Sequence, residues 1–315
     1  MALIGASDLD VFPLALGGNT FGWTSDASDS RAILDAFAEG GGNFIDTADG
    51  YSAWVNGNSG GESETIIGEW MRSRANRSRI VVATKVGQHP DFRGQSGTNI
   101  RRAVDASLAR LGTDWIDLYY AHDDDPSVPL EETVEAFHDL VQTGKIRWIG
   151  LSNYRGERIR EWASIADRNS WVGPVALQPH YNLVHREPYE SELAPVVADL
   201  GLGVVPYFAL ASGFLTGKYR SRADLEGAVR GGMAEGYLNQ ASLGVLSNLD
   251  GIAERTGASL SSIALAWLLS RPGVVTPIAS ARTTAQLPAI LAAPALQLEA
   301  SDLESLNRAS ALISA

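Results

Sequence analysis

The feature that most constrains the fold is a repeated alternation of short apolar runs and amphipathic stretches along the chain. Runs such as residues 80–84 and 116–121 are short and rich in β-branched or aromatic residues, which predicts buried strands. Each run is followed by apolar residues at helical spacing that stop near a glycine, as in residues 28–39 before Gly40. Eight such strand–helix units follow one another without a linker.

Eight βα units in 315 residues predict a single (β/α)8 TIM barrel as one domain over residues 1–315. Residues 2–4 and 10–12 are expected to form an N-terminal β-hairpin, and residues 301–312 an extra C-terminal helix. A doubly wound sheet would carry a Gly-x-Gly-x-x-Gly turn after its first strand. The nearest match, residues 201–206, lacks the third glycine and precedes a strand. The barrel is therefore favoured.

Composition excludes several classes of function. The net charge of -12 argues against binding to nucleic acid or to an anionic membrane, which would need clustered Lys and Arg. The chain has no cysteine, so disulfides, thiolate nucleophiles and Cys-ligated metals are excluded, and no metal site is predicted. Residues 1–8 lack a basic region and a long apolar run, so we expect no signal peptide and a cytoplasmic protein.

Polar residues stand where the predicted strands end, which in a barrel is the face that carries chemistry. Five consecutive strand ends contribute Asp46 with Tyr51, Lys85, His122, Ser152 with Asn153, and Gln178. Each residue alone has a plain structural explanation, such as a helix cap, a solvated lysine or a turn former. Their conjunction at five consecutive strand ends indicates a functional site.

The chemistry of these side chains fits proton donation to a carbonyl oxygen. The Tyr51 phenol is a poor acid at its usual pKa of about 10, and a nearby Lys85 ammonium is expected to lower that pKa. Asp46 would pair with Lys85, and His122 would hydrogen-bond the incoming carbonyl oxygen or complete a proton path. The carboxamides of Asn153 and Gln178 suit recognition of the nicotinamide carboxamide, whose ring would deliver hydride.

Six motifs of the chain belong together: Asp46-Thr-Ala-x-x-Tyr51, Thr84-Lys85, His122, Gly150-Leu-Ser-Asn153, Gln178-x-x-Tyr-Asn182 and Tyr207-x-x-Leu-x-x-Gly-x-Leu-Thr-Gly-Lys218. With these motifs the chain resembles the aldo-keto reductase family, in the bacterial branch related to potassium-channel β-subunits. The resemblance covers essentially the whole chain, and the combination of motifs is specific although each one alone is not.

The resemblance implies NADPH-dependent reduction of a small-molecule carbonyl compound, with Tyr51 as general acid tuned by Asp46, Lys85 and His122. It further assigns cofactor contacts to Ser152, Asn153, Gln178, Tyr207, Leu210, Gly213, Lys218, Arg230, Arg282 and Gln286. Of these, Ser152, Asn153 and Gln178 would hold the carboxamide, and Tyr207 would stack on the nicotinamide ring. Leu210, Gly213 and Lys218 would wrap the pyrophosphate, and Arg230 would reach a phosphate.

The predicted preference for NADPH depends on the segment after the last strand. Arg282 supplies a forked cation for the adenosine 2′-phosphate, and Gln286 stands in its usual family place. The chain departs from the family at Ala289 and Ile290, where an acidic residue and an asparagine commonly contact adenine. Ser280 replaces a common glycine or lysine.

Loops above the strand ends are expected to build the substrate pocket. The residues assigned to it are Phe21, Trp23, Trp54, Asp123 and Tyr154. Aromatic walls suit a hydrophobic or sugar-like carbonyl compound. Two alternatives remain open on the sequence: an NADP(H)-binding regulatory subunit with incidental turnover, and a Schiff-base lyase acting through Lys85.

Overall fold

Parallel strands form the wall of a barrel in the computed structural model, which describes residues 1–313. In chain order the strands are β1 (Ala2–Leu3), β2 (Asp10–Val11), β3 (Ala15–Gly17), β4 (Phe44–Asp46), β5 (Val81–Val86), β6 (Gln88–His89), β7 (Phe92–Arg93), β8 (Ile116–Ala121), β9 (Ile146–Ser152), β10 (Ala176–Gln178), β11 (Gly203–Val204) and β12 (Ile278–Ala279). The eight-stranded sheet has the order β11-β10-β9-β8-β5-β4-β3-β12, and its neighbours pair in parallel.

Backbone hydrogen bonds between the two ends of this sheet close the barrel. The Val204 N–H donates to the Gly273 carbonyl at 2.9 Å, and the Val275 N–H donates to the Val204 carbonyl at 2.9 Å. β1 and β2 form the expected antiparallel hairpin. The predicted (β/α)8 barrel is therefore confirmed, while the small hairpin of β6 and β7 was not predicted.

The helices surround the barrel, and polar caps start several of them. They are α1 (Ala27–Glu39), α2 (Glu62–Arg74), α3 (Gly97–Leu111), α4 (Leu130–Gln142), α5 (Gly156–Asn169), α6 (Ala194–Leu200), α7 (Gly231–Glu235), α8 (Gln240–Thr256), α9 (Leu260–Leu269), α10 (Leu287–Leu291) and α11 (Ala300–Ser310). The Asp26 carboxylate accepts from two amides of the first turn of α1, and α3 ends at Gly112 in the left-handed region. α11 is the expected C-terminal helix.

Prolines explain where the elements are shorter than the sequence pattern suggested. The pattern predicted strands over residues 203–207 and 274–278, but Pro206 and Pro277 have no N–H to donate to a ladder, so β11 and β12 are short. The pattern also predicted one helix over residues 188–200. Pro195 cannot donate to the preceding turn, and the chain forms a wider turn over Tyr189–Leu193 before α6 begins.

The core consists of two clusters of buried side chains, which together hold the strands and their ends in position. One cluster of buried side chains fills the barrel and includes Ile4, Leu9 and Val11 from the hairpin region, which therefore packs into the barrel interior. A larger cluster lies between the strands and the surrounding helices, with Trp70 and Trp162 among its members. In the described part of the chain, no helix combines the length and apolar character that crossing a membrane requires.

Candidate active site

A buried ion pair joins two neighbouring strands at the floor of the site. β4 ends at Asp46 and β5 carries Lys85, and solvent reaches almost none of either side chain. Lys85 Nζ lies 2.7 Å from Asp46 Oδ2, and it also donates to the Thr47 carbonyl at 2.6 Å and to the Tyr51 hydroxyl at 3.0 Å. Three acceptors thus satisfy the three N–H bonds of the ammonium group.

Strand β10 holds the same carboxylate from the other side of the barrel. The Gln178 amide nitrogen donates to Asp46 Oδ1 at 2.9 Å. The Ser152 hydroxyl, at the end of β9, donates to the Gln178 carbonyl at 3.0 Å. Because Gln178 and Ser152 are also neighbours in the strand register, Asp46 is fixed between rigid strands rather than by a loop. One donor of the Gln178 amide is therefore already used by Asp46.

The pKa of the Tyr51 phenol is raised above its ordinary value, contrary to the expectation from the sequence. Burial raises it, and the Asp46 carboxylate adds to that effect. Lys85 acts in the opposite direction but does not prevail. Burial alone would lower the pKa of Lys85, yet Asp46 and Tyr51 raise it overall. At neutral pH the site therefore holds a protonated phenol beside a charged ammonium.

His122, directly after β8, is a neutral imidazole beside the phenol. Burial, assisted by the Lys85 charge, holds its pKa well below the usual range. The rings of His122 and Tyr51 lie with their centroids 6.3 Å apart. His122 Nδ1 is buried and has no hydrogen-bond partner among residues 1–313. A neutral imidazole can offer a hydrogen bond to a bound oxygen but no cationic charge.

Asn153 and Tyr207 form a second hydrogen-bonded group on the cavity wall. The Tyr207 hydroxyl donates to Asn153 Oδ1, and Asn153 Nδ2 donates to the His122 carbonyl, each at 2.9 Å. Asn153 has a φ of 57°, an unusual left-handed conformation for a residue other than glycine. The ring of His180 stacks on Tyr207 with centroids 5.4 Å apart, so the orientation of Tyr207 is constrained by packing as well.

These residues open into a cavity of about 970 Å³. Its lining includes the predicted site residues Trp23, Asp46, Tyr51, Trp54, His122, Ser152, Asn153, Gln178, Tyr207, Leu210, Gly213, Lys218, Arg230, Arg282 and Gln286. Lys85 is fully buried behind the wall and contacts two of the lining residues, Asp46 and Tyr51. The volume is large enough to bury a cofactor or a drug-sized ligand.

Three cations lie along the cavity. Lys218, Arg230 and Arg282 line it, and no ion pair within residues 1–313 uses any of them. Burial and the Arg282 charge lower the pKa of Arg230. Unpaired cations that repel one another, in a chain of net charge -12, are suited to an anionic ligand.

The connection after β11 bends sharply along the same wall. Phe208, Ala211 and Ser212 all have positive φ, as does Gly213, and all four line the cavity or its immediate backing. Such conformations cost of order 1–3 kcal/mol for a residue other than glycine and cluster at functional sites. The Gln286 side-chain oxygen accepts a hydrogen bond from the Arg282 backbone N–H at 2.7 Å, which anchors the backbone at Arg282.

Three residues assigned to the substrate pocket lie elsewhere, so that interpretation is corrected. Phe21 is fully buried in the core, where its carbonyl accepts from Ser52. Tyr154 is buried against Trp162, with ring centroids 5.8 Å apart. Asp123 is half-buried and does not line the cavity, although it accepts a hydrogen bond at 2.6 Å from Gln88, which does. Phe21 and Tyr154 follow strand ends in the sequence, but their aromatic rings are buried in the apolar core instead of facing the cavity.

Other lining residues were not singled out from the sequence. They are chiefly Asn19, Gln88, Phe208, Val229 and Met233. Asn19 Oδ1 accepts from the Ser280 hydroxyl at 2.6 Å and from Arg230 at 3.4 Å. Gln88 stands just beyond β5, so the strand-end rule that found Lys85 could have found it. Val229 and Met233 lie in a stretch without periodicity, which offered no signal.

The (β/α)8 barrel thus brings a phenol, an ammonium group and a carboxylate together at its strand ends, an arrangement that is chemically suited to proton transfer. A family profile described as the aldo/keto reductase family matches residues 13–311. The chain therefore belongs to the aldo/keto reductase family, whose members are oxidoreductases, and the resemblance seen in the motifs is confirmed.

Individual relatives agree with this assignment. The chain is 36% identical over 296 residues to a probable voltage-gated potassium channel subunit beta of Oryza sativa subsp. japonica, covering 90% of this chain and 88% of that protein. It is 35% identical over 314 residues to the uncharacterized oxidoreductase YrpG of Bacillus subtilis, covering 96% and 94%. It is 35% identical over 318 residues to norsolorinic acid reductase B of Aspergillus parasiticus, covering 95% and 80%.

Proposed function

We propose that this protein is an NADPH-dependent reductase that converts an aldehyde or ketone to an alcohol, with Tyr51 as the general acid. The observation that carries the proposal is the hydrogen bond of 3.0 Å between the buried Lys85 ammonium and the Tyr51 hydroxyl. Tyr51 itself lines a large cavity. A protonated phenol at a cavity floor, backed by a fixed positive charge, is a proton donor for a carbonyl oxygen.

The residues of the cavity fit the cofactor that the family implies. The unpaired cations Lys218, Arg230 and Arg282 suit its phosphates, with Arg282 assigned to the 2′-phosphate that distinguishes NADPH from NADH. Tyr207 offers a flat ring on the cavity wall, and Gln178 and Asn153 keep amide atoms free beyond the hydrogen bonds described above. When bound, the reduced nicotinamide would supply the hydride that adds to the carbonyl carbon.

The side chains of the protein provide the proton and stabilise the charge that its transfer leaves. Tyr51 donates its hydroxyl proton to the carbonyl oxygen as the carbon–oxygen π bond breaks, which completes the alcohol. The phenolate formed on Tyr51 is stabilised by Lys85 at 3.0 Å, and Asp46 keeps that ammonium charged and oriented. His122 is neutral and lines the cavity, so its imidazole can donate a hydrogen bond to the same carbonyl oxygen.

The test is the Tyr51→Phe variant, which removes the hydroxyl and keeps the ring. We expect reduction of a test aldehyde to fall about 100- to 10,000-fold, the usual contribution of a general acid, while NADPH still quenches protein fluorescence at similar concentrations. Tyr154→Phe is the matched control, because that hydroxyl is buried outside the cavity and has no partner within the described residues. Retained turnover in Tyr51→Phe would refute the assignment.

A second candidate is a cofactor-binding regulatory subunit, favoured by relatives described as potassium channel β-subunits. Tight NADPH binding with negligible turnover on a broad carbonyl panel would support it over the reductase. The Schiff-base lyase is disfavoured, because Lys85 is fully buried, has a raised pKa and uses all three N–H bonds. Borohydride trapping on Lys85 would be the result that revives it.

A further inference from the structure

The acidic residue that follows His122 stands behind the cavity wall without a cationic partner. Of the two acids after it, Asp124 pairs with Arg158 at 2.8 Å, and Asp125 accepts from two backbone N–H groups. Asp123 is half-buried, and no ion pair within residues 1–313 uses it. Neutral donors therefore have to satisfy its carboxylate.

Two amides of the cavity lining supply those donors. The Gln88 amide nitrogen donates to Asp123 Oδ2 at 2.6 Å. Burial raises the pKa of Asp123, and the hydrogen bonds from Gln88 and Asn153 act in the opposite direction, because they favour the ionised carboxylate. Gln88 and Asn153 line the cavity, whereas Asp123 does not. Asp123 therefore acts on a bound ligand through these amides.

An ionised Asp123 fixes which end of the Gln88 amide faces it. A carboxylate oxygen only accepts hydrogen bonds, so the amide nitrogen of Gln88 has to be turned toward Asp123. The carbonyl oxygen Oε1 is then at the opposite end of the amide, and no hydrogen bond within the described residues uses it. Since Gln88 lines the cavity, this oxygen is an acceptor that a bound ligand can use.

Gln88 also lies beside the groups that are assigned to the carbonyl oxygen. A Cβ added at Gly50, the residue before Tyr51, would lie 3.1 Å from the Gln88 carbonyl carbon, so the two backbones are in contact. Asp123, the partner of the Gln88 side chain, directly follows His122. Tyr51, His122 and Gln88 line the same cavity. A substituent next to the reacting carbonyl can therefore contact Gln88.

We propose that Gln88 is a specificity-determining residue and that Asp123 positions it, so that the site favours carbonyl compounds with a hydrogen-bond donor next to the carbonyl group. The donor, a hydroxyl or an ammonium group, binds Gln88 Oε1 while the carbonyl oxygen meets Tyr51. A methyl group in the same place leaves that acceptor without a partner and excludes water from it. This inference rests on the proposed function, because it places the carbonyl oxygen at Tyr51.

The first experiment compares hydroxyacetone with 2-butanone, which has a methyl group in place of the hydroxyl. In Gln88→Met, which keeps the chain length and removes both amide atoms, the ratio of the two kcat/KM values should fall about 3- to 10-fold, mainly through KM. Aminoacetone distinguishes an ammonium from a hydroxyl donor, because a charged donor should give a fall of about 10-fold or more. Gln142→Met, at the exposed end of α4, should leave both ratios unchanged.

The positioning role of Asp123 is examined by exchanging the two functional groups. An amide in Asp123→Asn can both donate and accept, so the orientation of Gln88 is no longer fixed and the hydroxyacetone ratio should fall about 2- to 5-fold. Adding Gln88→Glu to this variant restores an acceptor at position 88 and a donor at position 123, and the ratio should recover. Asp124→Asn breaks the ion pair with Arg158 and should leave the ratio unchanged. A double variant without recovery would refute the positioning role.

The second experiment separates this inference from the proposed function. Binding of 1,2-propanediol and 2-butanol, which differ as the two ketones do, is measured by saturation-transfer NMR and requires no turnover. Tighter binding of the diol that Gln88→Met abolishes and Gln142→Met retains supports the inference even in a protein that reduces no carbonyl compound. Equal binding of the two alcohols, or kcat/KM ratios that Gln88→Met leaves unaltered, would overturn the inference while the reductase assignment stands.

Discussion

Replacing Lys85 by methionine should be among the most destabilising changes in the site. The substitution keeps an unbranched side chain of similar length but removes the ammonium group. Asp46 Oδ2 and the Thr47 carbonyl then lose a buried donor at 2.7 and 2.6 Å, and the Tyr51 hydroxyl oxygen loses one at 3.0 Å. Of the side chains in residues 1–313, only that of Gln178 still donates a hydrogen bond to the Asp46 carboxylate.

The magnitude follows from the burial of both partners. Neither side chain of the pair is more than 2% exposed, so solvent cannot replace the lost ammonium. Breaking such a pair by removing one partner costs about 3–5 kcal/mol of unfolding free energy. An unfolding entropy of about 2.1 cal/mol/K per residue gives about 1.5 °C per kcal/mol for 315 residues, so the midpoint of thermal unfolding should fall by roughly 4–8 °C.

Urea-induced unfolding followed by circular dichroism measures this cost in Lys85→Met. Lys145→Met is the matched control, because its ion pair with Asp105 is exposed on both sides and should contribute no more than about 1 kcal/mol. Adding Asp46→Asn to Lys85→Met should recover part of the loss, because the unpaired charge disappears. A cost below about 1 kcal/mol, or strictly additive losses in the double variant, would refute this reasoning.

Three further predictions concern protonation and cofactor choice. Because the pKa of Tyr51 lies above its usual value and that of His122 well below, kcat/KM for reduction should stay flat between about pH 6 and 9; a steady-state profile with an inflection there would contradict it. Burial raises the pKa of Asp49, so the folded protein holds that proton more tightly and loses stability as pH rises above about 4. Asp49→Asn should therefore raise the unfolding midpoint more at pH 7 than at pH 4. Equal shifts at both pH values would contradict the raised pKa of Asp49. Arg282→Met should weaken NADPH binding about 10- to 100-fold in a fluorescence titration and NADH binding far less, with exposed Arg79→Met as control; parallel losses would argue against the phosphate contact.

Much of the fold could be read from the sequence because its signals are local and repeated. Each strand–helix unit carries its own periodicity and glycine stop, and eight of them in series leave few arrangements other than a barrel. Where a proline interrupted a helix or strand pattern, its missing backbone N–H changed the extent of the element. Pro195, which has no N–H, divided an expected helix, and Pro206 and Pro277 shortened two expected strands.

In the candidate site, some residue positions could be predicted from the sequence and others could not. The positions of Asp46, Lys85 and Gln178 at strand ends were predictable, because parallel strands of a barrel end on one face. The side-chain contacts in the long connection after β11 were not, since Val229 and Met233 follow no periodic pattern. The Arg230 guanidinium lies 5.5 Å from the centre of the Trp23 ring, a contact between distant parts of the chain that only the fold brings together.

The sequence by itself determined which chemical groups meet, and the tertiary structure decided the state in which they meet. The motif from Asp46 to Tyr51, with Lys85 on the next strand, predicted a phenol beside an ammonium group. Whether that phenol becomes more or less acidic depends on burial set against charge, and burial prevailed. Desolvation is a property of all surrounding atoms, so no spacing along the chain can reveal it.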